Sequence, residues 1–436
     1  MRTKQTVFAI VLLIALLLII NVSAQEEEVV IAPQPCDEPG SLTLWVWDPT
    51  WAELLGELVD VWTTNYCPGA EVEIIQQPYD AYWAALPTAA IGGEMPDVFN
   101  MAQDMVGFYA NNEVLLDLQP YFDEYGVDTT VWGSGETGPY VFDGDLYAAP
   151  LEWVTVTIFY NKDLFDAAGV DYPTAEWTWD DFAAAAEALT DPEAGVYGAS
   201  VYAGYQTGYT NWIAATGEDP VVTPDRSACT LTSEDSIAAL TFLKDLYDAG
   251  YMPSVSDMGG SGADDAFNMF VSGQVAMITA GSWRLPNAVE QVEFNWDIVQ
   301  LPRHPETDRS RSNVHSTSYA ASAASENPDL AANLILFLVS DEAQLVFAEG
   351  GGVAPSNPNP EIQAVWADSF TEAGVNVQAF VDATNDSWGV TAFAEIWNYV
   401  DAEIVVNIFD LDMSLEEATT TACEFIDEQI AVLANP

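Results

Sequence analysis

The sequence predicts an α/β protein built as two lobes, and three observations carry that prediction. Between residues 41 and 101, strand-like and helix-like stretches alternate at the spacing of right-handed βαβ units. Between residues 141 and 160, two strands follow one another with no turn chemistry between them, so the chain leaves one sheet and enters another. With 436 residues, 50% of them apolar, the chain carries more core material than one hydrophobic core holds.

The first 24 residues are expected to stand outside that architecture. Arg2 and Lys4 precede an apolar run over residues 7–20, and Val22-Ser23-Ala24 is a small-residue cleavage pattern. Together they predict a secretory signal peptide removed after Ala24, the run being short for a membrane span. No cysteine follows the run directly, so lipid attachment is not indicated. Residues 25–40, rich in Glu and Pro, are expected to form a flexible leader. Export agrees with the four cysteines, Cys36, Cys67, Cys229 and Cys423, an even number suited to an oxidising compartment. Three pairings are possible. Cys36 precedes the first predicted strand and Cys67 the second. If those strands are parallel neighbours, both cysteines sit at one sheet edge, which favours Cys36–Cys67 and leaves Cys229–Cys423. Without a CxxC and with only two histidines, His304 and His315, no metal site is expected.

Taken in order, residues 41–47 (SLTLWVW) read as a strand, and Leu54, Leu55, Leu58, Val59 and Trp62 follow at helical spacing. Residues 71–77 form a second strand, 80–91 a helix ended by Gly92-Gly93, and 97–101 a third strand. In a parallel sheet of this kind ligands collect beyond the carboxyl ends of the strands. That edge carries Trp47, Asp48, Tyr79, Asp80 and residues 100–103. Beyond the crossover, residues 162–168 read as a short helix stopped by Gly169, and Thr178 caps a helix over 179–189. Thr232-Ser-Glu-Asp235 resembles a capping box ahead of a long helix to Ala249. Residues 252–262, rich in Gly and Ser, predict a second crossover, and the polar stretch 304–318 a third. Between them, 275–279 (VAMIT) and 296–300 read as strands, and from Asp329 the chain is largely helical. The expected division is 41–148 with 264–312 in the first lobe and 150–255 with 318–436 in the second. The hinges then fall near 149–153, 255–263 and 312–318.

Nine basic residues against 68 acidic ones give a net charge of −59, and losing Arg2 and Lys4 with the signal leaves seven against 68, or −61. Such a field repels nucleic acid and anionic membranes, and suits a salty or acidic medium outside the cell.

The order of several short motifs is more specific. Gly144-Asp-Leu-Tyr-Ala-Ala-Pro150, Phe159-Tyr-Asn-Lys-Asp-Leu-Phe165, Ala168-Gly-Val170 and Trp179-Asp-Asp-Phe182 lie in the middle of the chain. Gly93-Glu-Met-Pro-Asp-Val98 comes before them, and Phe270-Val-Ser-Gly-Gln-Val-Ala-Met277, Gly281-Ser-Trp283 and Gly352-Val-Ala-Pro355 follow. In this order they resemble the family 1 extracellular solute-binding proteins, the maltose-binding-type receptors of carbohydrate ABC importers. The resemblance spans nearly the whole mature chain, departing at His315-Ser-Thr, where glycines are common in the family. It implies a type II-like periplasmic-binding-protein fold with three hinge crossovers and a helical C-terminal region. It also implies a monomeric, non-enzymatic receptor outside the cytoplasm that delivers a carbohydrate to membrane permease subunits.

A sugar offers apolar C–H faces and a rim of hydroxyls, so its receptor needs aromatic platforms beside carboxylates, amides or arginine. Of fifteen tryptophans, Trp47, Trp153, Trp212, Trp283 and Trp388 fall in predicted loops or strand ends. Trp283 and Trp153 lead by resemblance, and Tyr79 and Tyr205 are further candidates. Asp48, Asp80, Gln103, Glu152 and Arg284 are the polar candidates. Core packing for the tryptophans, a solvated surface for the acids and a salt bridge for Arg284 are the competing structural roles. Trp153 is expected to matter more for ligand binding than for folding. Arg303, His304, Arg309, Arg311 and His315 form a basic patch expected to neutralise acidic neighbours, with a transporter contact as the alternative. Residues 133–138 match GxGxxG, but Pro139 follows where a helix would have to begin. No P-loop, HExxH or GxSxG occurs, so no cofactor is expected. Three other readings stay open: a receptor for another small solute such as a glycerophosphodiester or polyamine, an exported glycoside-processing enzyme, and a surface adhesion module.

Overall fold

The computed structural model describes residues 30–129, 140–142, 144–258, 263–350, 354–357, 359–389 and 399–433. The expected signal peptide and the GxGxxG stretch lie outside the described residues. The elements run β1 (Ser41–Val46), α1 (Pro49–Asn65), β2 (Glu71–Gln76), α2 (Tyr79–Gly92), β3 (Val98–Ala102), α3 (Gln103–Asn111) and α4 (Gln119–Tyr125). A hairpin of β4 (Val141–Phe142) and β5 (Asp145–Leu146) leads to β6 (Ala148–Pro150), β7 (Glu152–Asn161), α5 (Lys162–Ala168) and α6 (Trp179–Leu189). Next come α7 (Tyr209–Thr216), α8 (Glu234–Asp248), α9 (Ala263–Val271), β8 (Met277–Gly281), α10 (Leu285–Gln291) and β9 (Trp296–Val299). Then follow β10 (Ser312–His315), β11 (Thr317–Ala321), α11 (Pro328–Leu338), α12 (Asp341–Glu349), β12 (Ala354–Pro355) and α13 (Pro360–Ser369). The chain closes with α14 (Gln378–Ala383), β13 (Ser387–Gly389), a π-helical segment (Ala402–Asp410) and α15 (Leu415–Leu433).

Local chemistry accounts for the first βαβ unit. Leu42, Leu44 and Val46 alternate inward along β1. Asp48 then caps α1, its Oδ1 accepting from the N–H groups of Thr50 at 2.8 Å and Trp51 at 3.0 Å, with Pro49 opening the helix. The helix buries Trp51, Leu55, Leu58, Val59 and Trp62 on one stripe. Strands β1 and β2 are parallel neighbours, and a disulfide joins Cys36 to Cys67 at their shared edge. A second disulfide joins Cys229 to Cys423, both as favoured from the sequence. Thr178 and Asp181 form a reciprocal capping box at α6, whose hydrogen bonds hold the Asp181 carboxyl below the usual range. The cap of α8 is Ser233, one residue after the expected Thr232; its hydroxyl accepts from the Ser236 N–H at 3.1 Å.

Two sheets organise the described residues. The first has the order β2-β1-β3-β11-β6, and the second runs β12-β7-β10-β13 with β8 and β9 also paired to β7. All ten residues of β7 are buried, as expected for a strand covered on both faces. Strand β6 ends at Pro150 in the first sheet and β7 begins at Glu152 in the second, so the chain crosses at Leu151. It returns at Ser316, between β10 and β11, and crosses again between Gly350 and Ala354, where β12 pairs with β7.

This connectivity corrects the expected division. Residues 264–312 carry β8 and β9, which pair with β7, and Phe267, Ile278 and Ile298 lie in the second core. The stretch 318–347 belongs instead to the first lobe, with Tyr319, Leu334 and Phe347 in its core. The break near 255–263 is not a crossover, because Met252, Val255, Met258 and Phe267 share one core. Glycine-rich composition marks a break in regular structure and does not distinguish a loop within a lobe from a passage between lobes.

Candidate interlobe binding cleft

Strand direction places the site. Strands β1, β2 and β3 are parallel and end together at Val46, Gln76 and Ala102. Strand β11 starts at that edge, with Thr317 opposite Ala102, and β6 ends there, with Pro150 opposite Ser318. In the second sheet β7 starts at the crossover. Strand β8 is antiparallel to it, with Gly281 opposite Val156, so Ser282, Trp283 and Arg284 emerge beside the start of β7. These two sheet edges therefore meet at the crossovers. A groove of about 390 Å³ lined by Phe165, Tyr172 and Trp177 lies beyond the far end of β7, within one lobe.

The first-lobe wall is aromatic. Trp47 stands at its centre, with ring centroids 5.8 Å from Trp51, 5.8 Å from Tyr79, 5.1 Å from Tyr82 and 5.7 Å from Trp83. Trp47 is half-buried and Tyr79 is 57% exposed. Such a cluster joins a large apolar surface to a fixed geometry, because aromatic packing holds each ring in place.

The opposing wall comes from the second lobe. Ser200 bridges in parallel to Ile278 of β8, so the chain running on to Tyr205 leaves the sheet at the cleft edge. The Tyr205 hydroxyl donates to Asp104 Oδ2 across the cleft at 3.3 Å. Its backbone N–H donates to Asp401 Oδ2 at 3.2 Å, and the Tyr209 hydroxyl donates to Asp401 Oδ1 at 3.0 Å. Burial pushes the Asp401 carboxyl up to about 7, against the pull of those two donors. Burial, and then Asp104, Tyr79 and Asp401, push the Tyr205 hydroxyl well above its ordinary range. His315 Nε2 lies 3.8 Å from Asp104 Oδ1, so Asp104 is a meeting point of both lobes.

Polar groups without partners line the floor. Glu152 is 4% exposed and its Oε2 has no hydrogen-bond partner. Burial pushes its carboxyl up to about 8; a hydrogen bond from Thr317 draws it down and the charge of Asp48 raises it. Gln103 donates from Nε2 to the Val314 carbonyl at 3.1 Å and from its N–H to the Ser316 carbonyl at 3.2 Å, leaving its buried Oε1 unpaired.

Trp283 is half-buried and its ring lies over Gly281, where a Cβ would come within 1.7 Å of a ring carbon. The Gly-Ser-Trp spacing thus has a steric cause. The Arg284 guanidinium sits 4.9 Å from the Phe267 ring centroid, and burial pushes its pKa down.

Trp47, Tyr79, Gln103, Glu152 and Tyr205 lie at the meeting edges of the two lobes, and Trp283 and Arg284 follow the end of β8 on the second. Asp48 adjoins them as the α1 cap, and Asp80 lies on the first turn of α2 with its side chain outside the described residues. Three of the candidate tryptophans are packed into the second core. Trp153 is 7% exposed and packs edge-on against Trp366 at 5.8 Å. Trp212, 2% exposed, packs between Trp179, Phe182 and Phe242. Trp388, 6% exposed, donates from its indole to Asn211 Oδ1 at 3.2 Å. Asp104, Trp83 and Asp401 were missed. Asp104 directly follows Gln103, and Trp83 lies one helical turn after Tyr79, so both had a readable signal. Asp401 had none. In the basic patch, Arg309 pairs with Asp386 at 2.6 and 3.0 Å, Arg311 lies 3.4 Å from Asp386, and Arg303 lies 3.7 Å from both Glu176 and Asp308.

Residues 48–345 match the family described as bacterial extracellular solute-binding protein. The chain belongs to that family. Among curated relatives of this solute-binding protein, the galactooligosaccharide-binding protein of Bacillus subtilis (strain 168) is 23% identical over 357 residues, covering 81% of this chain and 82% of the relative. The maltodextrin-binding protein MdxE of the same strain is 23% identical over 361 residues, covering 82% of each. Among solved structures, the ABC substrate-binding protein Lmo0181 of Listeria monocytogenes in complex with cycloalternan superposes with a TM-score of 0.81 at 24% identity, covering 90% of this chain and all of that one (100%). UgpB of Mycobacterium tuberculosis in complex with glycerophosphocholine gives 0.78 at 20% identity, covering 91% and 99%. The solute-binding protein thus has the two-lobed α/β architecture of its family, and the family is one of binding proteins.

Proposed function

We propose that this solute-binding protein captures a carbohydrate between its lobes and delivers it to the permease subunits of an ABC importer, without catalysing a reaction on it. One observation carries the reading. A half-buried aromatic wall around Trp47, with Asp104 on the same lobe, is joined across the cleft to Tyr205 of the second lobe, where Arg284 also emerges, the combination a sugar's apolar faces and hydroxyl rim require. The galactooligosaccharide- and maltodextrin-binding relatives support the same class of ligand. Contacts from both lobes then stabilise a closed state in proportion to their differential affinity. The protein acts outside the cytoplasm as an exported monomer.

Trp47, Trp83, Tyr79 and Trp283 serve as platforms, and Asp48, Asp104, Gln103, Glu152, Tyr205 and Arg284 read the hydroxyls. A second reading, a glycerophosphodiester receptor, draws on Arg284 and on relatives described as sn-glycerol-3-phosphate-binding, one of them 24% identical over 277 residues. The test is a panel of maltotriose, a galactooligosaccharide, glycerophosphocholine and spermidine, followed by tryptophan fluorescence and thermal shift. A saccharide is expected to shift both signals. Trp47→Ala is expected to weaken its binding roughly five- to 160-fold, in line with an aromatic stacking contact of about 1–3 kcal/mol. A response to glycerophosphocholine alone refutes the carbohydrate reading.

A further inference from the structure

We infer that Glu152 is a specificity-determining residue of the cleft, donating a hydrogen bond from its uncharged carboxylic acid to an oxygen of the bound sugar. The inference rests on the carbohydrate reading above. Glu152 opens β7 one residue beyond the Leu151 crossover, so its backbone belongs to the second lobe. The groups around its carboxyl belong to the first. Thr317, the first residue of β11, hydrogen-bonds the carboxyl, and Asp48 at the end of β1 bears on it electrostatically. Glu152 therefore sits on the seam along which the lobes part.

The seam holds an unusual set of unsatisfied atoms. Besides Glu152 Oε2, the hydroxyl of Tyr319 is buried without a partner, two residues along β11 from Thr317 and on the same face. Gln103 Oε1 is a third. Tyr319 lies close enough to Glu152 to feel its charge, and Gln103 joins the same seam through the backbone, its N–H donating to the Ser316 carbonyl while the Ser316 hydroxyl donates to the Glu152 carbonyl. Native interiors leave few polar atoms unpaired, and a site built to hydrogen-bond a substrate group is one place they persist. The titratable groups facing the carboxyl are Asp48 and Tyr319, both on the first lobe, and no cation among the described residues pairs with it. The nearest histidine along the crossover, His315, faces Asp104. Burial and the Asp48 charge accordingly keep the acid protonated up to about pH 8. A protonated Oε2 donates, which suits a ring or hydroxyl oxygen of a sugar. An ionised one accepts only, beside a second carboxylate.

The experiment measures maltotriose binding by tryptophan fluorescence from pH 5.5 to 9.5, with a galactooligosaccharide as the alternative probe. It compares the mature wild-type chain with Glu152→Gln and Glu152→Leu. Wild-type affinity is expected to fall about tenfold per pH unit above pH 8, as the competent fraction falls. Glu152→Gln keeps a neutral donor and is expected to bind with no such decline. Glu152→Leu is expected to remain folded, with its melting temperature lowered by no more than the loss of the Thr317 hydrogen bond requires, and to bind at least about tenfold more weakly at pH 6. Asp401 titrates in all three proteins and cancels in the comparison. A flat wild-type profile, the same decline in Glu152→Gln, or full affinity in Glu152→Leu overturns the inference; the last would mark the seam as a water-filled joint only. If no saccharide binds wild type while glycerophosphocholine does, the carbohydrate reading fails first and this inference falls with it.

Discussion

Asp401 offers a test of how burial at the cleft is offset. Its carboxyl accepts hydrogen bonds from the Tyr209 hydroxyl and the Tyr205 N–H, yet burial pushes its pKa from an ordinary 3.8 up to about 7. Between those two values the folded protein holds a proton that the unfolded chain has released. Stability therefore falls as pH rises through that window, by ~1.4 kcal/mol per unit. The contribution is fully present below pH 3.8 and gone above pH 7, a total of about 4 kcal/mol. Asp401→Asn cannot titrate and keeps one oxygen to accept a donor. Its stability relative to wild type should climb by about 4 kcal/mol between pH 4 and pH 7.5. Urea unfolding at pH 4, 5, 6 and 7.5, followed by tryptophan fluorescence, measures the difference directly, and Glu152 cancels because both proteins carry it. Parallel stability curves for the two proteins, or a variant that loses ground as pH rises, would refute the reasoning.

Two further outcomes bear on the fold. Trp153→Ala should cost about 3–5 kcal/mol of stability, the range for deleting a large core side chain, because Trp153 is 7% exposed against Trp366. Chemical denaturation beside a binding titration checks it, and a larger loss in affinity than in stability would restore the platform role expected from sequence. Replacing Cys229 and Cys423 by Ser opens a span of 194 residues, against 31 for Cys36 and Cys67. Chain entropy predicts losses of roughly 5 and 4 kcal/mol, measured by urea unfolding, and a larger loss at the shorter span would contradict that account.

Much of the first lobe was legible because its signals are local. The alternation in β1, the cap at Asp48 and the stripe of α1 each depend on residues within a few positions of one another. So does the strand-end placement of Trp47 and Tyr79, since a parallel sheet turns sequence position into an edge. The 275–279 stretch was equally legible as a buried strand, but nothing in VAMIT names its partner. That partner is β7, more than a hundred residues earlier, and the pairing moves 264–312 into the second lobe. The tryptophans cannot be sorted by sequence for a related reason. Trp283 and Trp212 are the same residue type in similar surroundings, yet Trp283 lies half-open over Gly281 while Trp212 sits within an aromatic core.

The sequence by itself determined the secondary-structure order, the two α/β lobes, the favoured disulfides and the edge where a ligand would collect. Caps, periodicities and strand ends are set by neighbours along the chain, so they are written locally. The tertiary structure alone decided which lobe each segment joins, where the third crossover falls and which aromatic rings stay open to the cleft. It also decided that Glu152 is buried, that Asp401 is half-buried and that both carboxyls are raised, because their surroundings come from strands and helices far away in the chain. Burial is a property of the packed whole, and a carboxylate's charge follows its burial.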